Sequence, residues 1–135
     1  MQERSCGTVL FTVTDGEPKY LLIRARDGYC GFPKGHMEQG ETEQQTALRE
    51  VKEETCVQAE IIYGFRRVVV YRMPNGNQKR VVYFLAQNTE QEAHRNPEEF
   101  LKVMVLPYGD AVRALTFEND RAILRAAEKF MRQRT

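Results

Sequence analysis

From Thr42 to Thr55 the chain has no glycine or proline and is rich in Glu, Gln, Ala, Leu and Lys, so the segment reads as a helix. On a wheel of about 100° per residue, Ala47, Leu48 and Val51 share one face, the natural core face. Glu50, Glu53 and Glu54 share a neighbouring face. They stand at i, i+3 and i+4, so their side chains meet, and like charges at such spacings destabilise an isolated helix. Arg49 and Lys52 are the cations close by, and the wheel turns both elsewhere. A hard divalent cation would resolve the conflict, because Mg²⁺ takes oxygen ligands and keeps positions open for substrate phosphates. The alternative is a solvated acidic face, since surface helices favour Glu by propensity.

The elements around this helix change period several times. Cys6–Val13 is β-branched and aromatic and reads as a strand. Asp15-Gly16-Glu17-Pro18 is a turn, and Lys19–Arg24 is a second strand, so the two make a hairpin. Asp27–Gly40 holds Gly28, Gly31, Gly35, Gly40 and Pro33 and reads as a long loop, a kind of segment that often carries function. Val57–Tyr71 and Lys79–Ala86 are strand-like runs joined by a turn at Met73–Asn77. Leu101–Leu106 is a further short strand. Asp110–Leu115 and Asn119–Arg132 read as helices, with Leu115, Ile123, Ala127 and Phe130 on one stripe. Strands and helices do not alternate regularly, which predicts an α+β fold with a mixed sheet.

Composition narrows the class. The 135 residues are one domain's worth, read as a single domain over 1–135. Hydrophobic residues make up 41% and charged residues 29%, and 20 Lys+Arg nearly cancel 19 Asp+Glu, so neither disorder nor a general nucleic-acid coat is expected. No apolar run reaches the ~20 residues of a membrane span. Glu3 in the opening residues argues against a signal peptide. Cys6, Cys30 and Cys56 form no CxxC pair, so a zinc knuckle or disulfide framework is not expected, and a reducing cytoplasm fits.

Gly35 is followed by Glu41 and then by Arg49-Glu50-Val51-Lys52-Glu53-Glu54-Thr55-Cys56-Val57. This resembles the Nudix box, G-x5-E-x7-R-E-U-x-E-E-x-G-U with U aliphatic. Every charged position matches. The departure is Cys56 where the family has a glycine that usually ends the helix in a left-handed turn. The resemblance implies an α/β/α sandwich around a mixed sheet. It also implies hydrolysis of a nucleoside diphosphate linked to another group, with Mg²⁺, or Mn²⁺ in its place, on Glu50, Glu53 and Glu54. Glu41 and Arg49 become a structural pair, and the backbone near Lys34–Gly35 lends a carbonyl to the metal. Glycines there let the chain approach ion and phosphates closely.

Residues flanking the box resemble the diadenosine tetraphosphate hydrolase branch of the family. Gly31-Phe32-Pro33-Lys34-Gly35-His36 matches its G-F-P-K-G-H segment, which also occurs in diphosphoinositol polyphosphate and some RNA 5′-pyrophosphate hydrolases. That implies phosphate contacts for Lys34 and His36. Tyr71, Lys79 and Tyr83 resemble its Y…K-x-V-x-Y arrangement facing polyphosphate and base, with strand packing as the alternative for Tyr83. Glu99 matches a late acid that serves as extra ligand or base. Phe130 resembles a terminal-helix aromatic near the base, with a core role as the alternative. Cys30 and Val105 stand where members often have Trp, which weakens the case for the standard adenine pocket. Cys30 is read as chemically inert, and Arg66 and Arg67 as solvated or phosphate-facing.

The expected chemistry is attack of water on a phosphoanhydride. Metal ions neutralise its charge, and the protein mainly positions groups. Glu50, Glu54 or Glu99 takes the proton from water, and Lys34 and Lys79 stabilise the leaving phosphates. The leading expectation is cleavage of diadenosine tetraphosphate to ATP plus AMP. Nucleoside triphosphates, RNA 5′ ends or diphosphoinositol phosphates are the enzyme alternatives, and a non-hydrolytic nucleotide sensor is the alternative of another class. The expected partner is a small nucleotide, with no DNA and no membrane, and the chain is a monomer or homodimer.

Overall fold

The computed structural model describes residues 2–89, 93 and 102–134. Among them are strands β1 Gln2–Thr14, β2 Glu17–Arg24, β3 Cys30–Gly31, β4 Lys34–His36, β5 Glu60–Arg72, β6 Gln78–Gln87 and β7 Lys102–Pro107. The helices are α1 Glu43–Thr55, α2 Tyr108–Ala114 and α3 Glu118–Arg134.

The period of two along each strand divides the sheet into two faces. Val9 and Phe11 of β1 pack in one core with Ala111 of α2 and Ile123, Leu124 and Ala127 of α3. Their neighbour Leu10 points the other way, into a core with Val51 of α1, and Cys6 packs with Ala47 of α1. The result is the expected α/β/α sandwich: α1 on one face, α2 and α3 on the other. The sheet is mixed, because β1 runs parallel to β6 and antiparallel to β2 and β4.

One edge of β1 forks. Residues 10–14 pair with β2, whereas residues 5–7 pair with β4. Where β2 leaves β1 it takes up β3 through Ile23 and Arg24. The fork therefore receives the glycine-rich segment and lays it against the sheet. Gly7 permits the approach, since a Cβ there would collide with the Pro33 carbonyl and the Lys34 side chain.

The segment read as one long loop thus contains two short strands. Two or three residues carry no periodicity, and only the open edge of the fork defines them. The strand expected to open at Val57 begins at Glu60, and the first strand reaches back to Gln2. The strand expected at Leu101 is described from Lys102. Helix α1 starts at a capping box: Thr42 accepts from the Gln45 amide and the Gln45 side chain accepts from the Thr42 amide.

Cys56 takes the glycine's conformation rather than changing it. It sits in the left-handed region at φ 62°, ψ 21°, and its N–H bonds the Lys52 carbonyl at 2.9 Å. A side chain there costs roughly 1–2 kcal/mol, whereas glycine costs about 0.5–1 kcal/mol in entropy. Cys56→Gly is therefore expected to stabilise the protein by about 0.5–1 kcal/mol, a Tm rise of a few degrees by thermal melting. An unchanged or lower Tm would show that the turn carries no strain.

Candidate active site

The Nudix-box residues come together where β4 passes beneath α1. Arg49 is the hub. Its Nε and Nη2 donate to the two carboxylate oxygens of Glu41 at 2.6 and 3.0 Å, and Nη2 also reaches the His36 carbonyl at 2.9 Å. Glu41 accepts further hydrogen bonds from the Glu38 amide and the Thr46 hydroxyl. Its carboxyl is held down at about 2, chiefly by the Arg49 guanidinium. This clasp fixes the loop to the helix.

Arg49 also corrects the wheel reading. It does not point away from the acids: Nη1 reaches Glu50 at 2.9 Å and Glu53 at 3.2 Å. A long side chain spans the offset that a wheel projection makes look prohibitive. Its guanidinium is raised well above its ordinary range by the carboxylates around it.

Glu50 lies over Gly35, so closely that a Cβ on Gly35 would occupy the carboxylate's space. Glu54 buries one carboxylate oxygen completely, while Glu53 is about half exposed. Among the described residues no trio of His, Cys, Asp or Glu is already gathered at metal-ligand spacing. The donor set nevertheless fits a hard divalent cation. It offers carboxylate oxygens at i, i+3 and i+4 on one helix, beside a backbone that approaches where only glycine allows it.

Across β4 lies a cleft of about 370 Å³, lined by Tyr29, Lys34, Tyr71, Arg72, Met73, Pro74, Lys79 and Phe117. The Lys34 ammonium stands 5.4 Å from the centre of the Tyr29 ring and 5.8 Å from that of Tyr71. Burial, and next the neighbouring Lys79, push its pKa down, while Asp120 and Glu54 push it up. Two ammonium groups close enough to oppose each other in one cleft make a place for an anion. Phe117 is half exposed and tilts against Tyr29, with ring centres 5.4 Å apart, so the cleft has an aromatic wall.

Behind this wall sits Asp120, fully buried in the first turn of α3. The Tyr29 hydroxyl lies 3.4 Å from one of its oxygens and the Tyr83 hydroxyl 3.4 Å from the other. Burial pushes the Asp120 carboxyl up, against the pull of Lys34 and the tyrosines. Sequence reading missed this residue. The signal was present: Asp120 falls on the apolar stripe with Ile123, Leu124 and Ala127, where an acid has no reason to be unless it has partners.

The remaining sequence-predicted residues divide. Lys34, Tyr71 and Lys79 meet at the cleft. Tyr83 is wholly buried, edge-on to Phe32 with centres 5.5 Å apart, and reaches the site through Asp120 and Tyr71. The His36 side chain is turned to Glu3, 3.6 Å away. Phe130 packs on Phe65 and Gly64 of β5, away from the cleft lining. Arg66 forms a two-point pair with Glu43. Cys30 is buried in β3 with its backbone bonded to Thr116, so the position often held by Trp is core here, and Val105 is half exposed on β7. Glu99, with Glu92 and Glu98, lies outside the described residues.

The NUDIX domain family matches residues 4–127: the chain belongs to the Nudix family and is an enzyme of the pyrophosphohydrolase type. It is 32% identical over 143 residues to the asymmetrical bis(5′-nucleosyl)-tetraphosphatase of Rattus norvegicus, covering 97% of each chain. It is 40% identical over 116 residues to an 8-oxo-(d)GTP phosphatase of Mycolicibacterium smegmatis, covering 83% of this chain and 35% of that protein. The structure of a C. elegans Ap4A hydrolase binary complex superposes with a TM-score of 0.88 at 26% identity, over 97% of this chain and 98% of that one.

Proposed function

We propose that this single domain, residues 1–135, hydrolyses a dinucleoside polyphosphate such as diadenosine tetraphosphate to ATP and AMP, in the cytoplasm and as a monomer or homodimer. The observation that carries the reading is the cleft in which Lys34 and Lys79 stand together with the aromatic wall of Tyr29, Tyr71 and Phe117. A chain of several phosphates ending in a base needs cations along its length and an aromatic face at its end. Similarity to asymmetrical tetraphosphatases along nearly the whole chain supports it.

Glu50, Glu53 and Glu54 would hold Mg²⁺, or Mn²⁺ in its place. When bound, such an ion neutralises phosphate charge and acidifies water. The chain does the rest by position. Arg49 keeps Glu50 and Glu53 over β4, and Glu41 keeps Arg49 in place. Glu50, well shielded from solvent above Gly35, is the acid placed to accept the proton of the attacking water, with Glu54 as its neighbour on α1 and Glu99 as the late acid that the resemblance suggests. Lys34 and Lys79 meet the charge that develops on the leaving phosphates. Water adds to one phosphorus as the bridging P–O bond breaks, giving ATP and AMP.

A second reading has its own support. The 40% identity to an 8-oxo-(d)GTP phosphatase, with Cys30 in the core and Val105 at the surface, favours a nucleoside triphosphate. Purified protein with Mg²⁺ and a panel of diadenosine tetraphosphate, nucleoside triphosphates, triphosphorylated RNA and diphosphoinositol phosphates decides between them by product chromatography. Fastest conversion of diadenosine tetraphosphate to ATP and AMP is expected. Faster release of pyrophosphate from a triphosphate would overturn the dinucleotide assignment and leave the hydrolase chemistry intact.

No helix among the described residues is long and apolar enough to cross a membrane.

A further inference from the structure

We propose that Asp120 is a positioning residue of the polyphosphate cleft, holding the Tyr29–Tyr71 wall and, within it, the Lys34 ammonium. The inference rests on the reading of Lys34 as a phosphate-binding residue.

Asp120 belongs to α3, but its partners come from three other parts of the chain. Tyr29 precedes β3, Tyr71 ends β5 and Tyr83 is in β6. Each carboxylate oxygen faces one tyrosyl hydroxyl, from Tyr29 and from Tyr83, and Tyr71 joins through hydrogen bonds to Tyr83 and Asp120. The Tyr29 and Tyr71 rings that flank Lys34 are thus tied at their far ends to one buried anion.

A buried carboxylate is expensive and gives little net stability even when paired. An apolar residue would pack well beside Ile123 and Leu124. If Asp120 merely fastened α3 to the sheet, one donor would suffice. Instead its partners include both rings that flank the cleft lysine. Removing the charge while keeping the shape should leave the fold standing, let the two rings relax apart and loosen Lys34.

The test is a double-mutant cycle of Asp120→Asn and Lys34→Met, with diadenosine tetraphosphate as substrate and folding followed by near-ultraviolet tyrosine dichroism and melting. Asp120→Asn is expected to raise KM about tenfold, the scale of a hydrogen bond to a charged group. Its kcat is expected to fall as well, because the loosened Lys34 also meets the charge that develops on the leaving phosphates. Lys34→Met should do the same, and the double variant should be no worse than Lys34→Met alone, because the two act through one ammonium. If the factors multiply, Asp120 acts independently of Lys34 and the proposal falls. A normal KM in Asp120→Asn with a raised KM in Lys34→Met also overturns it, while the phosphate role of Lys34 stands. A normal KM in Lys34→Met overturns that role, and the proposal with it.

If Asp120→Asn does not fold, Tyr29→Phe with Tyr71→Phe replaces it in the cycle. These keep the rings and cut their ties to the carboxylate. They should raise KM in the Lys34 protein and not in Lys34→Met; equal effects in both backgrounds would overturn the proposal.

Discussion

Glu54→Gln is expected to lower kcat by roughly a thousandfold, the scale on which loss of a preorganised charge interaction slows catalysis. Folding should be unchanged. Glutamine has the same length and keeps one carbonyl oxygen, and Glu54 follows the helix residues Ala47 and Val51 that pack α1 on the sheet. What disappears is a negative charge with one oxygen wholly buried. Two readouts separate its roles. If Glu54 is a metal ligand, Mn²⁺ affinity by calorimetry falls together with kcat, and excess metal recovers part of the rate. If it acts only on a proton, metal affinity is kept. A Glu54→Gln protein with normal, Mg²⁺-dependent turnover would remove Glu54 from the site altogether.

The parts of the site that sequence made legible are those built by one helix and one loop. Spacing alone brings Glu50, Glu53 and Glu54 to one side of α1, because helix geometry is fixed by local hydrogen bonds. The Glu41–Arg49 pair was legible through family pattern, and its geometry agrees. The parts that were not legible depend on distant strands. β3 and β4 exist because β1 and β2 diverge, a property of the whole sheet. Asp120 meets Tyr29, 91 positions earlier in the chain, and no local rule predicts that meeting. For Phe130 the resemblance left a base contact and a core role open, and the ring packs on Phe65 and Gly64 of β5. Arg49 shows the limit of a wheel, which projects directions and ignores side-chain length.

Gly35→Ala tests the same site from the side of the loop, and it is expected to cost activity far more than stability. Gly35 pairs with Cys6 in the β1–β4 ladder, a backbone conformation open to alanine, so strain is not the issue. Space is. The new methyl group would fall on the Glu50 carboxylate, and one of the two must leave. The strand cannot retreat easily, because Gly7 already lets Pro33 and Lys34 press against β1. Glu50 therefore moves, breaking its 2.9 Å bond with Arg49 and leaving the position above β4. Overpacking of this kind costs about 1–3 kcal/mol in stability. In the reaction, displacing a catalytic carboxylate by an ångström or more costs about a hundredfold, as misplacement of reacting groups generally does. Gly28→Ala is the control for backbone strain: Gly28 has φ 94° with open space around the missing Cβ, so it should lower Tm and spare turnover. If Gly35→Ala loses no more activity than Gly28→Ala, the Glu50 carboxylate has no fixed place in catalysis. If Gly35→Ala is as slow as Glu50→Gln and the double variant is no slower, the contact between loop and acid is what the glycine of the box is for.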